Sequence, residues 1–269
     1  MKVDRELLDR ATRLKVVATA STGTDHIDKV ECVRRGVQVL SIATDFGLLE
    51  TFTATAECAW MLLLACQRHF RGATASALSD SWSGDRFIGK ELSRLTLGVL
   101  GVGRLGKMVV QFGKAFCMRV LACEKRMIEI PGVTLVDFDT LLRESDAISI
   151  HIHLTPENHH LFDDNAFHRM KQGAVLINTS RGDIVDEAAL LRALESGRLA
   201  AYGADVIHNE WQPQASSLIA YARTHENVVL TPHIGGKTLH GIGAAREFMA
   251  RKLAHFLKTG EVLSFPLAR

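Results

Sequence analysis

The stretch TLGVLGVGRLGK, residues 96–107, decides how the rest of the chain is read. An apolar run ending at Leu100 opens directly into Gly101-Val102-Gly103-Arg104-Leu105-Gly106, and a segment of helical period, GKMVVQFGKAF, follows. In that strand–turn–helix setting each glycine has its own task. Gly101 permits the tight turn, Gly103 lets backbone approach a pyrophosphate, and Gly106 lets helix and strand pack closely. The helix start, with Arg104 and Leu105, then supplies N–H groups for phosphates. The next apolar run, RVLAC, ends at Glu124, an acid placed to bind adenosine ribose hydroxyls and to repel a 2′-phosphate. NAD is therefore favoured over NADP. Lys125 and Arg126 argue the other way, because both reach a 2′-phosphate if Glu124 turns away; otherwise they form a solvated charge cluster.

Outward from this turn, short apolar or β-branched runs alternate with longer segments of helical period: DTLLRES, AISIHI, AVLINTS, DEAALLRALESG, LAAYGADV, NVVLTPHIGG. That alternation predicts βαβ units and a parallel sheet. Asp186 is the expected N-cap, and Gly197 the expected C′ stop, of the helix in DEAALLRALESG. The N-terminal part holds two strand-like runs, LKVVAT at 14–19 and VQVLSI at 37–42, and an apolar helix over 51–69. VDRELLDRA is expected to start the chain inside a helix whose preceding strand is absent, and two strands make a poor domain alone. A final helix near 237–258 is expected to pack back onto this part.

At 269 residues, 47% of them hydrophobic, the chain can bury the cores of two domains. Its 32 Lys+Arg nearly balance 30 Asp+Glu, with no basic stripe, so nucleic acid is not an expected partner. Five cysteines without a CxxC pair fit reduced thiols in a cytoplasmic setting. The start MKVDRELLDR has no apolar signal region, and CAWMLLLAC at 58–66 is too short for the ~20 residues of a membrane helix.

One placement is unusual: in NTSRGDIVDE, Arg181 stands where a buried strand opens into a loop, with Gly182 behind it. Taken with GVLGVGRLGK, Glu210 in DVIHNEWQP and His233 in TPHIGG, in that order and spacing, the chain resembles the D-isomer-specific 2-hydroxyacid dehydrogenases over nearly its whole length. The resemblance implies an α/β protein with a Rossmann-type doubly wound parallel sheet over 50–236, binding NAD. A smaller flavodoxin-like α/β substrate domain, shortened at its N-terminus, would comprise 1–49 and 237–269. It implies hydride transfer between NAD(H) and a small 2-oxo or 2-hydroxy acid of the glyoxylate, hydroxypyruvate or pyruvate type.

The chemistry of the three residues fits that activity. A planar guanidinium holds the carboxylate and adjacent carbonyl of a 2-oxo acid by charge-assisted hydrogen bonds, the role of Arg181. Hydride arriving at the carbonyl carbon leaves charge on oxygen, so His233 serves as general acid in reduction and general base in oxidation. Glu210 accepts from the other ring nitrogen, fixes the tautomer and raises the imidazole pKa.

The resemblance extends to further positions. Thr22 and Gly23, in STGTDHID, match the segment whose backbone N–H groups bind the substrate carboxylate. Asp205 matches the aspartate that meets the nicotinamide carboxamide, and Thr179, Ser180 and Gly235 line the cofactor cleft. His151 and His153 lie two apart on an expected strand, but no carboxylate or Cys stands at ligand spacing, so no metal is expected. His153 and Trp211 both stand where the family usually has proline. Glu210, rather than glutamine, sets formate oxidation aside. A homodimer through the helix at 51–69 is implied, since its apolar content is otherwise hard to cover. Two alternatives remain: an NAD-responsive interaction protein akin to the family's corepressors, and an inactive homologue lacking the opening strands.

Overall fold

The computed structural model describes residues 2–79, 82–126 and 129–265. The chain divides into two units, Met1–Ala54 with Gly236–Arg269, and Thr55–Gly235. The last four residues of the expected substrate segment lie outside the described ones.

The first unit begins with α1 (Arg5–Arg10), whose N-cap Asp4 accepts from the Leu7 N–H. The chain therefore does not start inside a helix, as VDRELLDRA suggests: Val3 precedes the cap and forms a parallel bridge with Ile27. Next come β1 (Val16–Ala18), α2 (Lys29–Arg34), β2 (Gln38–Leu40) and α3 (Phe46–Leu49). β1 and β2 pair in parallel, Val17 opposite Val39.

The second unit alternates strand and helix. It comprises α4 (Ala54–Gln67), α5 (Phe70–Ala77), β3 (Thr96–Leu100), α6 (Arg104–Ala115), β4 (Arg119–Cys123) and β5 (Thr134–Leu135). It continues through α7 (Phe138–Glu144), β6 (Ala147–Ile150), α8 (Asp164–Arg169), β7 (Ala174–Asn178), α9 (Glu187–Glu195), β8 (Leu199–Ala204), α10 (Ser217–Thr224) and β9 (Val228–Leu230). The chain then returns to the first unit with α11 (Leu239–Thr259).

All seven strands of the second unit are parallel, in the order β5-β4-β3-β6-β7-β8-β9. The order reverses between β3 and β6, which opens a crevice at their carboxyl ends. Buried strands alternate their side chains between two cores. Ile148, Ile150 and Leu176 join Leu141, Phe167 and Leu190 on one face. Val175, Ile177, Leu97 and Val99 meet Trp60, Leu62 and Val110 on the other. Helix starts follow local chemistry: Asp137, Asp163, Asp186 and Ser216 each accept from a backbone N–H of the first turn. Gly197, just past α9, has φ +69°, the left-handed stop expected of it.

Two expectations change. The apolar helix at 51–69 is shorter, Ala54–Gln67, and most of its apolar side chains, though not Met61, are buried within the described structure. Phe46–Gln67 is long and apolar enough by composition to cross a membrane, with hydropathy 1.3, yet half of that window is buried; we read it as core. β6 ends at Ile150, so His151 and His153 lie beyond the strand rather than on one face of it.

In the first unit α11 covers Leu40, Ile42, Leu48 and Leu49 with Ala245, Phe248 and Met249, as the packing of a final helix onto the N-terminal part requires. A buried ion pair anchors it. Lys252 Nζ donates to Asp45 Oδ2 at 2.7 Å and to the Ser41 carbonyl at 3.0 Å, while Asp45 Oδ1 accepts from Phe265 N at 3.0 Å. Removing one partner strands the other charge in the core. Lys252→Ala is expected to cost about 3–5 kcal/mol in urea unfolding, and the double change to Met and Leu much less.

Candidate active site

Gly101 takes φ +87°, and a Cβ there would lie 2.6 Å from Ile152 Cγ2 and 2.7 Å from the His151 carbonyl oxygen. A Cβ on Gly106 would overlap the Gly101 carbonyl, whereas one on Gly103 would meet nothing within 4 Å. The first and third glycines are therefore internal necessities. The second leaves open space at the N-cap of α6, where no side chain caps the helix. A diphosphate fits that opening.

Glu124, directly after β4, accepts from the Val102 N–H at 2.9 Å. Arg126 is solvent-exposed and also paired: its Nη2 and Nε reach Glu124 Oε2 and Oε1 at 3.0 and 3.2 Å. That bond, helped by the backbone donors, holds the Glu124 carboxyl at about 2, so it stays ionised in any physiological buffer. The acid meant for the ribose thus carries its own cation.

Across the switch point the loops after β6 and β7 are bound together. Ser180 Oγ donates to the Ile150 carbonyl at 2.8 Å, and Asn178 holds Ser180 N and the Arg181 carbonyl through its amide. The Ser180 hydroxyl is thereby a tie between strand ends. Two neighbouring polar atoms, Thr179 Oγ1 and His151 Nδ1, are buried with no hydrogen-bond partner within the protein. Buried polar atoms need partners, and this pair follows the carboxyl ends of β6 and β7 beside the switch point, so the residues present fit a dinucleotide. Burial also pushes the His151 pKa down to about 4, keeping the ring neutral. Among the described residues no group of three or more His, Cys, Asp or Glu could hold a metal ion.

His233 and Glu210, expected to lie side by side, are in contact. His233 Nδ1 lies 2.7 Å from Glu210 Oε2, and this bond raises the imidazole pKa against the opposing effect of burial. The Asp205 charge adds to the rise, and the Arg181 cation counters it, so all four groups share one electrostatic field. Arg181 is half-buried, its Nη1 donating to the Ser180 carbonyl at 2.7 Å.

Backbone strain accompanies the pair. His233 has φ +52° and Asn209, beside Glu210, has φ +49°. Left-handed backbone of this kind costs a non-glycine residue about 1–3 kcal/mol and persists only where surroundings enforce it. Asp205 does the enforcing. Its carboxylate accepts from Thr231 Oγ1 at 2.5 Å, Ile234 N at 2.8 Å and Gly235 N at 2.7 Å, and its carbonyl accepts from His233 N at 3.0 Å. Asp205 and Gly235, read from the sequence as cofactor contacts, are thus bonded to each other, and Thr231 joins them without having been singled out. Its signal was in plain view in the TPHIGG stretch.

Thr22 and Gly23 belong to the other unit, in the loop after β1, where Ser21 Oγ donates to the Gly23 carbonyl at 2.7 Å. His153 is exposed and binds Asn158 through its carbonyl, and the Trp211 side chain is half-exposed.

A crevice able to hold a dinucleotide beside a group that carries one proton belongs to the nicotinamide-linked oxidoreductases. Residues 60–235 match the family model described as D-isomer specific 2-hydroxyacid dehydrogenase, NAD binding domain. Glyoxylate reductase of Thermococcus litoralis is 38% identical, aligned over 97% of this chain and 79% of its own length. Hydroxypyruvate reductase of Thermotoga maritima is 36% identical over 88% of this chain and 76% of its own. The crystal structure of D-lactate dehydrogenase from Aquifex aeolicus, complexed with NAD and lactic acid, superposes with TM-score 0.84 at 31% identity, covering 98% of this chain and 84% of that one. The chain belongs to the D-isomer-specific 2-hydroxyacid dehydrogenase family, and its cofactor is NAD.

Because Glu124 is the ionised acid beside the glycine turn, Glu124→Gln is expected to raise the Kd for NADH about tenfold and to free Arg126 for a 2′-phosphate, improving NADPH binding. Fluorescence titration with both nucleotides measures this directly.

Proposed function

We propose that this enzyme reduces a small 2-oxo acid of the glyoxylate, hydroxypyruvate or pyruvate type, with Arg181, Glu210 and His233 as its substrate-handling residues. The observation that carries the reading is the 2.7 Å bond between His233 and Glu210, in the field of Arg181. NADH supplies the hydride when bound. Everything else falls to the chain. Arg181 offers two parallel N–H donors to the carboxylate and the carbonyl oxygen, which orients the acid and draws electron density from the carbon to be attacked. His233 gives its proton to the carbonyl oxygen as charge develops there. Glu210 keeps Nδ1 occupied, so that the reactive proton sits on Nε2, and stabilises the imidazolium before the transfer. Thr179 and His151 take the cofactor edge, and Thr22 and Gly23 are assigned to the substrate carboxylate on the family resemblance alone. In the reverse direction the neutral ring accepts the hydroxyl proton.

The sign of the pH dependence follows from the raised imidazole pKa. Reduction needs the protonated ring, so its kcat/KM holds below that pKa and falls as pH rises through it. Oxidation behaves oppositely. Glu210→Gln removes the cause of the rise, so the falling limb of reduction moves to lower pH. His233→Ala is expected to lower kcat by about 10²–10⁴, and Arg181→Ala to raise the KM for the oxo acid as well. Stopped-assay NADH consumption across a panel of 2-oxo acids tests the reading, and turnover by both Ala variants at the parental rate would falsify it.

The same reading includes a homodimer in a reducing, cytoplasmic compartment. All five cysteines are free thiols. Met61, Phe70, Trp82 and Ile88 of the second unit are exposed, a set of large apolar side chains suited to a partner copy. Light scattering after size exclusion should give twice the 29.6 kDa chain mass; a mass of one chain at micromolar concentration would sink this part.

A further inference from the structure

The segments that carry Arg181 and Glu210 are fastened to each other by a residue outside the proton path, His208. A Cβ on Gly182, next to Arg181, would overlap the Ile207 carbonyl and the His208 nitrogen. The two backbones therefore lie directly against each other. His208 then bonds twice to the Arg181 side. Its N–H donates to Glu187 Oε1 at 2.8 Å, at the first residue of α9, and its ring Nδ1 pairs with the Asp183 carboxylate. Asn209 turns left-handed immediately afterwards and delivers Glu210 to His233.

We infer that His208 is a positioning residue, whose ring locks the loop of Glu210 onto the turn of Arg181 and so sets both the His233–Glu210 bond and the register of the guanidinium. This rests on the functional reading above. Any residue but proline would make the backbone bond to Glu187; the ring bond to Asp183 is what histidine adds. The charged groups facing His208 are Asp183, whose hydrogen bond raises the imidazole pKa, and Glu187, whose own pKa burial raises. Those facing His233 are Glu210, Asp205 and Arg181. With the ring removed, Glu210 is freer to leave His233, and Arg181 loses one anchor two residues away.

The test compares the parent with His208→Ala and His208→Asn, in which the Asn amide nitrogen can occupy the place of Nδ1 as donor. Steady-state kinetics with the best 2-oxo acid across pH, NADH affinity by fluorescence, and the His233 pKa by NMR titration are measured on each. In His208→Ala the KM for the oxo acid is expected to rise about tenfold, the size of one charge-assisted hydrogen bond. The falling limb of reduction and the His233 pKa both move down, while NADH affinity stays at the parental value. His208→Asn restores KM and the His233 pKa most of the way. A parental KM and His233 pKa in the Ala variant overturn the inference, as does an Asn variant no better than Ala. Should His208→Ala fail to fold, Asp183→Ala removes the same bond from the other side and must lower the His233 pKa. If the parent turns over no 2-oxo acid, the functional reading falls by itself, and the NMR titration still decides the role of His208.

Discussion

The Asp205 carboxylate is the constraint on which the turn carrying His233 depends. It is 2% exposed at the end of a buried parallel strand, and it takes two successive backbone N–H groups and a threonine hydroxyl. A carboxylate satisfied by three donors is a strong organiser in a low-dielectric surrounding. What it organises is a turn that no run of ordinary residues adopts by preference, with His233 in the left-handed region. From that turn the imidazole meets Glu210.

A second constraint works at the other end of the crevice by exclusion of side chains. Gly101 and Gly106 leave no room for a Cβ against the neighbouring backbone, so β3, α6 and the loop after β6 approach to contact distance. The N-terminus of α6 carries no side-chain cap, and Thr179 and His151, just past the carboxyl ends of β7 and β6, have polar atoms unpaired within the protein. The glycine turn and the His233–Glu210 pair therefore share one device: the ends of parallel strands, closed by glycine in one place and by a carboxylate in the other. Charge is arranged with equal economy. Glu124 is held ionised by Arg126, and His233 is held toward its cationic form by Glu210, each acid and base carrying its partner within a few residues in space.

Much of this was legible in the chain. The strand at Thr96–Leu100 and the three glycines could be read because hydrophobic period and glycine spacing are local properties. Asp186 and Gly197 were legible as the cap and stop of α9 for the same reason. Arg181, Glu210 and His233 were readable as a set only through their order and spacing, since each alone is an ordinary surface residue type. Other features were hidden. Arg126 looked like a free cation and turns out to hold Glu124; His208 carried no signal at all; the apolar helix Ala54–Gln67 looked in need of a partner although its own unit supplies most of its cover.

The sequence by itself determined the parallel α/β plan, the dinucleotide turn and which residues are proposed to handle the proton, because period, glycine placement and residue chemistry are written along the chain. Only the tertiary structure decided which polar atoms face one another. Asp205 meets Gly235, Asp183 meets His208 and Lys252 meets Asp45 across long stretches of sequence. Such pairings depend on where strand ends and helix faces converge in space, and a hydrogen bond, unlike a hydrophobic period, leaves no mark on the residues that lie between its partners.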